Sequence, residues 1–397
     1  MNYHHKYSKY KYKYIKLKNK IQLAGADDET EVVVNTNKSL SDGNNEFTID
    51  LFDNLESASN IFSPLGIIFA LSLIHQGTLG VSSSQITKVL GYKYSTDDLK
   101  QNHELFNNSV IKMINVFIIN KNLGLKKDYT NTIDGLVKII KYEKDNAALS
   151  VYKANRYITN RTDGMMMNVV PPINISIDQS LIIINTVYFK ASWQHKFDIR
   201  NTIKMPFHQT QNNLVEIMHQ TNDFKYYENK SVQLIELPYD EKDYVMGIIL
   251  PLMYLEGNNL EYSINNVPQF SMQEINELIN NTEYTLVDLF IPKFVQRKKF
   301  HMIPTLKKMG ITEIFDTTAS EFDVAIKKVC VSDFIHEAVI IIDEIGTEAL
   351  DASIKKYPAK QDTSVKTFKA DHAFIYYIRH IPSGIFLLFG DYQGNPS

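Results

Sequence analysis

The residues able to do chemistry are few and lie far apart in the chain. Asp371 and His372 are adjacent, and an acid beside an imidazole can relay a proton. Neighbours on a strand point to opposite faces, so the two are not expected to act together. His4-His5 offers two metal-ligating nitrogens but lies in a polar terminal stretch expected to be disordered. Cys330 is the one thiol, which excludes an internal disulfide framework and a Cys-based zinc site and fits a reducing compartment. Residues 1–20 hold seven Lys, five Tyr, two His and no acid, with Lys6, Lys9, Lys11 and Lys13 interleaved with Tyr7, Tyr10, Tyr12 and Tyr14. Charge plus stacking rings suits a polyanion such as nucleic acid, or anionic lipid. The plainer expectation is a disordered, low-complexity extension, followed by acids at Asp27, Asp28, Glu29 and Glu31. Gly-x-Gly-x-x-Gly, Walker A, His-Glu-x-x-His, EF-hand and Gly-x-Ser-x-Gly patterns are all missing. Neither an enzyme nor a cofactor is expected.

The scaffold around these residues must be large. The chain has 397 residues, is 44% hydrophobic and 22% charged, and carries a formal net charge of −3. Chains of this size bury roughly three quarters of their unfolded surface. Bulk charge does not make the whole protein a polyanion binder. The longest apolar runs, such as Leu181–Ile184 and Ala338–Ile342, fall far short of the roughly 20 residues of a membrane helix. With no apolar signal-peptide core near the N-terminus and a single Cys, a cytoplasmic location is expected, or a host cell or virion for a viral chain. Frequent Asn, Lys and Ile suggest AT-rich coding DNA, as in some protists and large DNA viruses.

Periodicity places the elements. Phe47, Leu51, Phe52 and Leu55 predict a helix opening near Glu46. Ser63-Pro64 reads as N-cap and first residue of a helix apolar on all sides, hence central to a core. Ser83 or Ser84 caps a short helix ending at Leu90, with Gly91 as its left-handed stop. Residues 126–170 read as helices with a loop around Gly164. Strands are predicted at Ile114–Asn120, Leu181–Lys190, Val215–His219, Val232–Pro238, Tyr244–Leu250, Tyr284–Phe294 and Val329–Asp343, with a hairpin at Phe374–His380 and Ile385–Gly390. Helices early and strands late make an α+β pattern. The boundaries expected are an extension over 1–45 and one domain over 46–397. Within it, residues 344–367 form a polar stretch of roughly 24 residues without helical period, long enough to be functional or disordered.

Several segments in order resemble the serpin family. They are Asn60-Ile-Phe-Ser-Pro64, Asn185-Thr-Val-Tyr-Phe-Lys190 with Ser192-Trp193, and Ile291-Pro-Lys293-Phe294. His336-Glu-Ala-Val339, Asp343-Glu-x-Gly-Thr-Glu-Ala349 and Phe368-x-Ala-Asp-His372 complete the set. The resemblance implies about nine helices, three sheets and an exposed reactive loop at 344–367. It implies a monomeric suicide inhibitor of a trypsin-like serine protease, or of a cysteine protease. The protease would form an acyl-enzyme on the loop, and the cut loop would insert as a strand. Fifteen residues counted from Gly346 put the scissile bond at Lys360-Gln361, and Lys suits a pocket with an acidic floor. Gly346, Thr347, Glu348 and Ala349 would be the hinge. Glu344, Lys293 and Trp193 would lie where the sheet opens. Ser63, Asn185 and His336 would form a polar cluster beneath it. No metal is implied.

Two departures weigh against inhibition. Gly66 stands where the family usually has Ser, which thins the cluster. If Thr347 points inward, so do Ala349, Asp351, Ser353 and Lys355, while Leu350 and Ile354 point outward: the apolar phase is inverted. The alternative to an inhibitor is a serpin serving as a binding, carrier or structural protein.

Overall fold

The computed structural model describes residues 39–55, 59–143, 146–172, 180–207, 210–252, 269–347 and 365–394. The helices are α1 Leu40–Asn54, α2 Pro64–His75, α3 Gly80–Leu90, α4 Thr96–Leu105, α5 Lys127–Thr132, α6 Ala147–Arg161, α7 Met272–Asn280 and α8 Ile303–Met309. The first strands are β1 Ile61–Phe62, β2 Ile111–Asn120, β3 Lys138–Tyr142, β4 Ser180–Phe189, β5 Ala191–Ser192, β6 Ile203–Phe207, β7 Thr210–Glu228 and β8 Val232–Pro238. They continue with β9 Tyr244–Pro251, β10 Glu283–Pro292, β11 Phe294–His301, β12 Cys330–Ile342, β13 Gly346–Thr347, β14 Lys366–Lys369, β15 Phe374–His380 and β16 Phe386–Tyr392.

The α+β class stands, with eight α-helices and two sheets among the described residues. A nine-stranded sheet holds β1, β16, β15, β9, β8, β7, β10 and β14 in order, with β6 on β7. Its unity comes from β7, whose 19 residues are long enough to pair with β6, β10 and β8 in turn, joining what would otherwise be separate sheets. The second sheet has seven strands. At its centre β4 and β12 run parallel, Ser180–Tyr188 against Cys330–Val339. β2 and β3 lie beyond β4, and β11 lies beyond β12.

Both faces of the β4–β12 seam are covered. On one face Ile183, Val187, Phe334, Ala338 and Ile340 join the main core, in which α2 is buried all round. Ser63 caps α2 by accepting the Gly66 N–H at 3.0 Å. On the other face Ile182, Ile184, Tyr188, Ile335 and Val339 form a second apolar cluster with Ala154 and Ile158 of α6. Strands covered on both sides read as unbroken apolar runs, which is why β4 and β12 were legible.

Three boundaries are corrected. The folded body begins by Ser39, not Glu46: Ser39 and Asp42 form a capping box, and Asn44 exchanges two hydrogen bonds with the Phe386 backbone. The Phe386 partner lies 342 residues from Asn44, and Leu40 to Asn45 show no apolar helical period, so only the Ser39–Asp42 cap marks the start locally. α3 begins at Gly80, not Ser83, because the Glu321 carboxylate accepts the Val81 N–H at 2.6 Å from another part of the chain. Residues 126–170 are not all helical, since β3 pairs with β2 as an edge strand whose Lys138 and Lys141 are exposed.

Candidate functional site

The head of the β4–β12 seam is closed by a tight return of the chain. After β12, Asp343 Oδ1 accepts the N–H groups of Ile345 (2.8 Å) and Gly346 (3.1 Å), turning the backbone. β13 then pairs on both sides at once. Thr347 lies opposite Ile342 of β12 and opposite Ala191 of β5, and Gly346 lies opposite Ser192. A Cβ on Gly346 would stand 2.2 Å from the Ala191 carbonyl oxygen, so only glycine fits between these backbones. Thr347 is fully buried and shares a 2.7 Å hydrogen bond with the Tyr239 hydroxyl. The Tyr239 ring stacks on Trp193 at 4.6 Å between centroids. The stretch expected to be exposed from Glu344 onward is therefore a bend at Glu344 and Ile345 and a buried strand at Gly346 and Thr347. The sequence misled here because Glu344 to Thr347 is short and has no strand period, and what holds it, Trp193, Tyr239, Lys293 and Thr202, lies far off in the chain.

Trp193 binds this return through its backbone and its ring. Its Nε1–H donates to the Asp343 carbonyl (2.8 Å) and its backbone N–H to the Ile345 carbonyl (2.9 Å). Glu344, 6% exposed, accepts from Lys293 Nζ at 3.0 Å and from the Thr202 hydroxyl at 2.9 Å. Burial alone would raise the Glu344 carboxyl, but the Lys293 bond and its other donors hold it below the usual range. The same bond raises Lys293. The structure thus brings Lys293, Trp193 and Glu344 together. Tyr239 and Thr202 had no signal of their own in the sequence.

The second constellation lies under the seam. His336 on β12 and Asn185 on β4 stand in register across it. His336 Nδ1 donates to Asn185 Oδ1 (2.8 Å), leaving Nε2 to accept the Ser63 backbone N–H (2.9 Å). Ser63 therefore enters through its backbone N–H, while its hydroxyl accepts the Gly66 N–H at the start of α2. Asn185 Nδ2 donates in turn to Asn115 on β2 (2.8 Å), a member that sequence reasoning missed. Gly66 leaves the cluster tightly packed: a Cβ there would come within 2.6 Å of Asn185 Oδ1 and of Val187. Burial pushes His336 down to about 3, keeping the ring neutral as the accepting nitrogen requires.

Other candidates resolve plainly. Asp371 and His372, expected to point apart, bond to each other at 2.9 Å because β14 ends at Lys369 and the pair stands in a bend. His372 Nε2 lies 2.7 Å from the Pro251 carbonyl, which leaves it no hydroxyl to activate. Cys330 is buried. Lys360, Gln361, Glu348 and Ala349 lie outside the described residues, as do His4, His5 and the Lys/Tyr arm. Among the described residues no group of three His, Cys, Asp or Glu is placed to hold a metal ion, and no helix is long and apolar enough to cross a membrane.

The family model for serpins, described as serine protease inhibitor, matches residues 42–393. An uncharacterized serpin-like protein of Acanthamoeba polyphaga mimivirus is 44% identical over 408 residues, spanning 99% of this chain and 100% of that one. The leukocyte elastase inhibitor of Xenopus laevis is 26% identical, over 90% of this chain and 99% of its own. Among solved structures, native protease nexin-1 with heparin superposes with a TM-score of 0.78 at 21% identity, covering 90% and 99% of the two chains. The chain belongs to the serpin family and has the serpin fold.

Proposed function

We propose that this serpin is a suicide inhibitor of a trypsin-like serine protease, or of a cysteine protease with the same taste for Lys. The observation that carries the reading is β13, paired between β12 and β5 at the head of the seam. In this reading the protease nucleophile attacks the Lys360 carbonyl. The bond to Gln361 breaks, Gln361 leaves with the proton as a new amino terminus, and an acyl-enzyme remains on Lys360. The chain after Thr347 then continues β13 between β4 and β12, carrying the protease with it. A dozen new ladder bonds at roughly 0.5–1.5 kcal/mol each supply on the order of 10 kcal/mol.

Extending the register from Thr347 opposite Ile342 and Ala191 gives each residue its neighbours. Ala349 would meet Ile340 and Phe189, Asp351 would meet Ala338 and Val187, and Ser353 would meet His336 and Asn185. Leu350 would meet Val339 and Tyr188, and Ile354 would meet Ile335 and Ile184. These last four partners belong to the apolar cluster under α6. The outward face of the seam is not solvent, so in this register Leu350 and Ile354 would each gain about 1.5–3 kcal/mol on burial. Lys355, falling between Phe334 and Ile183, remains unfavourable.

A non-inhibitory serpin is the second reading, favoured by Asp351 and Lys355. Mixing with trypsin separates them: an SDS-stable adduct is expected, and simple cleavage without adduct would establish the second. The inhibitor would act as a monomer in the cytoplasm of its own or a host cell.

A further inference from the structure

Between α6 and β4 the chain crosses the outer face of the seam, and it is fastened on both sides. On one side it is tied to α6. Asn155 accepts the Val170 N–H (2.8 Å) and donates to the Val170 carbonyl (2.9 Å), while Thr159 donates to the Met166 carbonyl (3.1 Å) and Thr162 accepts the Met166 N–H (3.1 Å). α6 packs with Val116, Ile140 and Ile182, so it belongs to the half of the sheet that holds β2, β3 and β4. On the other side the donors come from β11. Arg297 Nη2 donates to the Met167 carbonyl at 2.7 Å, and Lys299 Nζ to the Asn168 carbonyl at 3.1 Å. Both cations are also held from below by Glu337 of β12, fully buried, at 2.5 Å and 3.3 Å. Lys299 stands directly opposite Glu337 in the β11–β12 ladder. Asn168 completes the crossing with a left-handed backbone, φ 54°, unusual for a side chain other than glycine.

We infer that residues 166–170 are a strap across the β4–β12 seam, and that Arg297 and Lys299, aimed by the buried Glu337, are its clasp. The two halves of the sheet are otherwise joined here by the parallel β4–β12 ladder. Parting them requires both charge-assisted clasp bonds to break, because the Asn155 and Thr159 bonds keep the strap with α6. Glu337 explains why a carboxylate is tolerated there: it orients two donors that then reach past it to the strap. The clasp sets how often the seam opens. This inference concerns opening alone, and it deepens the inhibitory reading without depending on which protease, if any, the loop meets.

The test is hydrogen exchange on the intact protein without protease. Removing one partner alone would strand a buried charge, so the variant replaces all three with similar apolar side chains: Arg297→Leu, Lys299→Leu and Glu337→Leu. The β4–β12 amides should exchange roughly tenfold faster, as expected for losing charge-assisted bonds. The β2–β4 amides, which lie within one half, should be unchanged. Lys299→Met, which keeps the Arg297–Glu337 pair, should show a smaller rise in the same amides. Unchanged seam exchange in the triple variant overturns the inference. An equal rise in the β2–β4 ladder overturns it as well, because the network would then be general packing. Since no inhibition is measured, its failure is distinct from failure of the trapping mechanism.

Discussion

Tyr239 and Thr347, 108 residues apart, share a 2.7 Å hydrogen bond inside the molecule. Thr347 is the last residue before the segment proposed as bait, and its side chain is already where an inserted strand would begin. The bond joins β13 to the Trp193–Tyr239 stack, which packs further onto Phe189 and Phe197. The start of the proposed strand is therefore anchored by aromatic packing rather than left in solvent.

Tyr239→Phe tests that anchor. The ring stack on Trp193 is kept and only the hydroxyl is lost. Unfolding free energy should fall by about 0.5–1.5 kcal/mol, the net worth of one hydrogen bond. Amide exchange at Thr347 should quicken more than exchange elsewhere in the sheet. A uniform change, or none at Thr347, would mean that strand pairing alone holds β13.

Gly346→Ala should act more strongly at the same place. The new Cβ would meet the Ala191 carbonyl and the Ser192 backbone, neither of which is the flexible end of a side chain. Forcing atoms into a packed site costs about 1–3 kcal/mol. β13 should leave the sheet, and the Trp193 fluorescence, reporting the one tryptophan of the chain, should shift to the red. An unshifted spectrum with unchanged stability would show that the two backbones yield.

A pH titration isolates His336. Its folded pKa, about 3, lies below the ordinary value of 6.5. Between those values the unfolded chain binds a proton that the folded chain refuses, so the unfolded state binds more protons and stability rises with pH. The contribution is complete above pH 6.5 and is lost as pH falls towards 3, at up to about 1.4 kcal/mol per pH unit. His336→Gln should be less stable at pH 7.5, having lost its bonds to Ser63 and Asn185, yet show a flatter decline between pH 6.5 and 4. Parallel declines in urea unfolding would clear His336 of this role.

What the sequence revealed and what it hid divide along one line. α2, β4 and β12 were readable because each is a local apolar run with a cap or turn at its edge. Lys293, Trp193, Glu344, Asn185 and His336 were placed by motif resemblance, and their contacts are now explicit. Asn115, Tyr239, Thr202 and the clasp residues Arg297 and Lys299 were not, because each matters only through a partner distant in the chain. Alternation alone would put Leu350 and Ile354 on the face away from the main core, and nothing local could say that α6 packs on that face of the seam.

Of the two charges that the proposed strand would turn inward, Asp351 comes before Lys355, and Asp351→Ala should raise inhibitory efficiency. Thr347 points inward, and Asp351 is four residues on, hence on the same face of any strand they share. The proposed register would put it between Ala338 and Val187, both fully buried, with Gly66 against Val187. Neither neighbour can donate to a carboxylate there. Asp351 must therefore shed its water or take up a proton, at a cost of a few kcal/mol against a gain of order 10. That cost does not prevent insertion, but it falls early, while the protease is still competent to deacylate and leave. Alanine removes it and keeps a small side chain against Val187. The quantity to measure is the number of inhibitor molecules consumed per trypsin molecule silenced, wild type against variant. A lower number for the variant fits a trap slowed at Asp351. If the wild type already traps near one to one, the carboxylate finds a partner on the way in, and the inward-facing register is wrong. If both proteins are cut after Lys360 without adduct and without gaining heat stability, the segment does not insert at all.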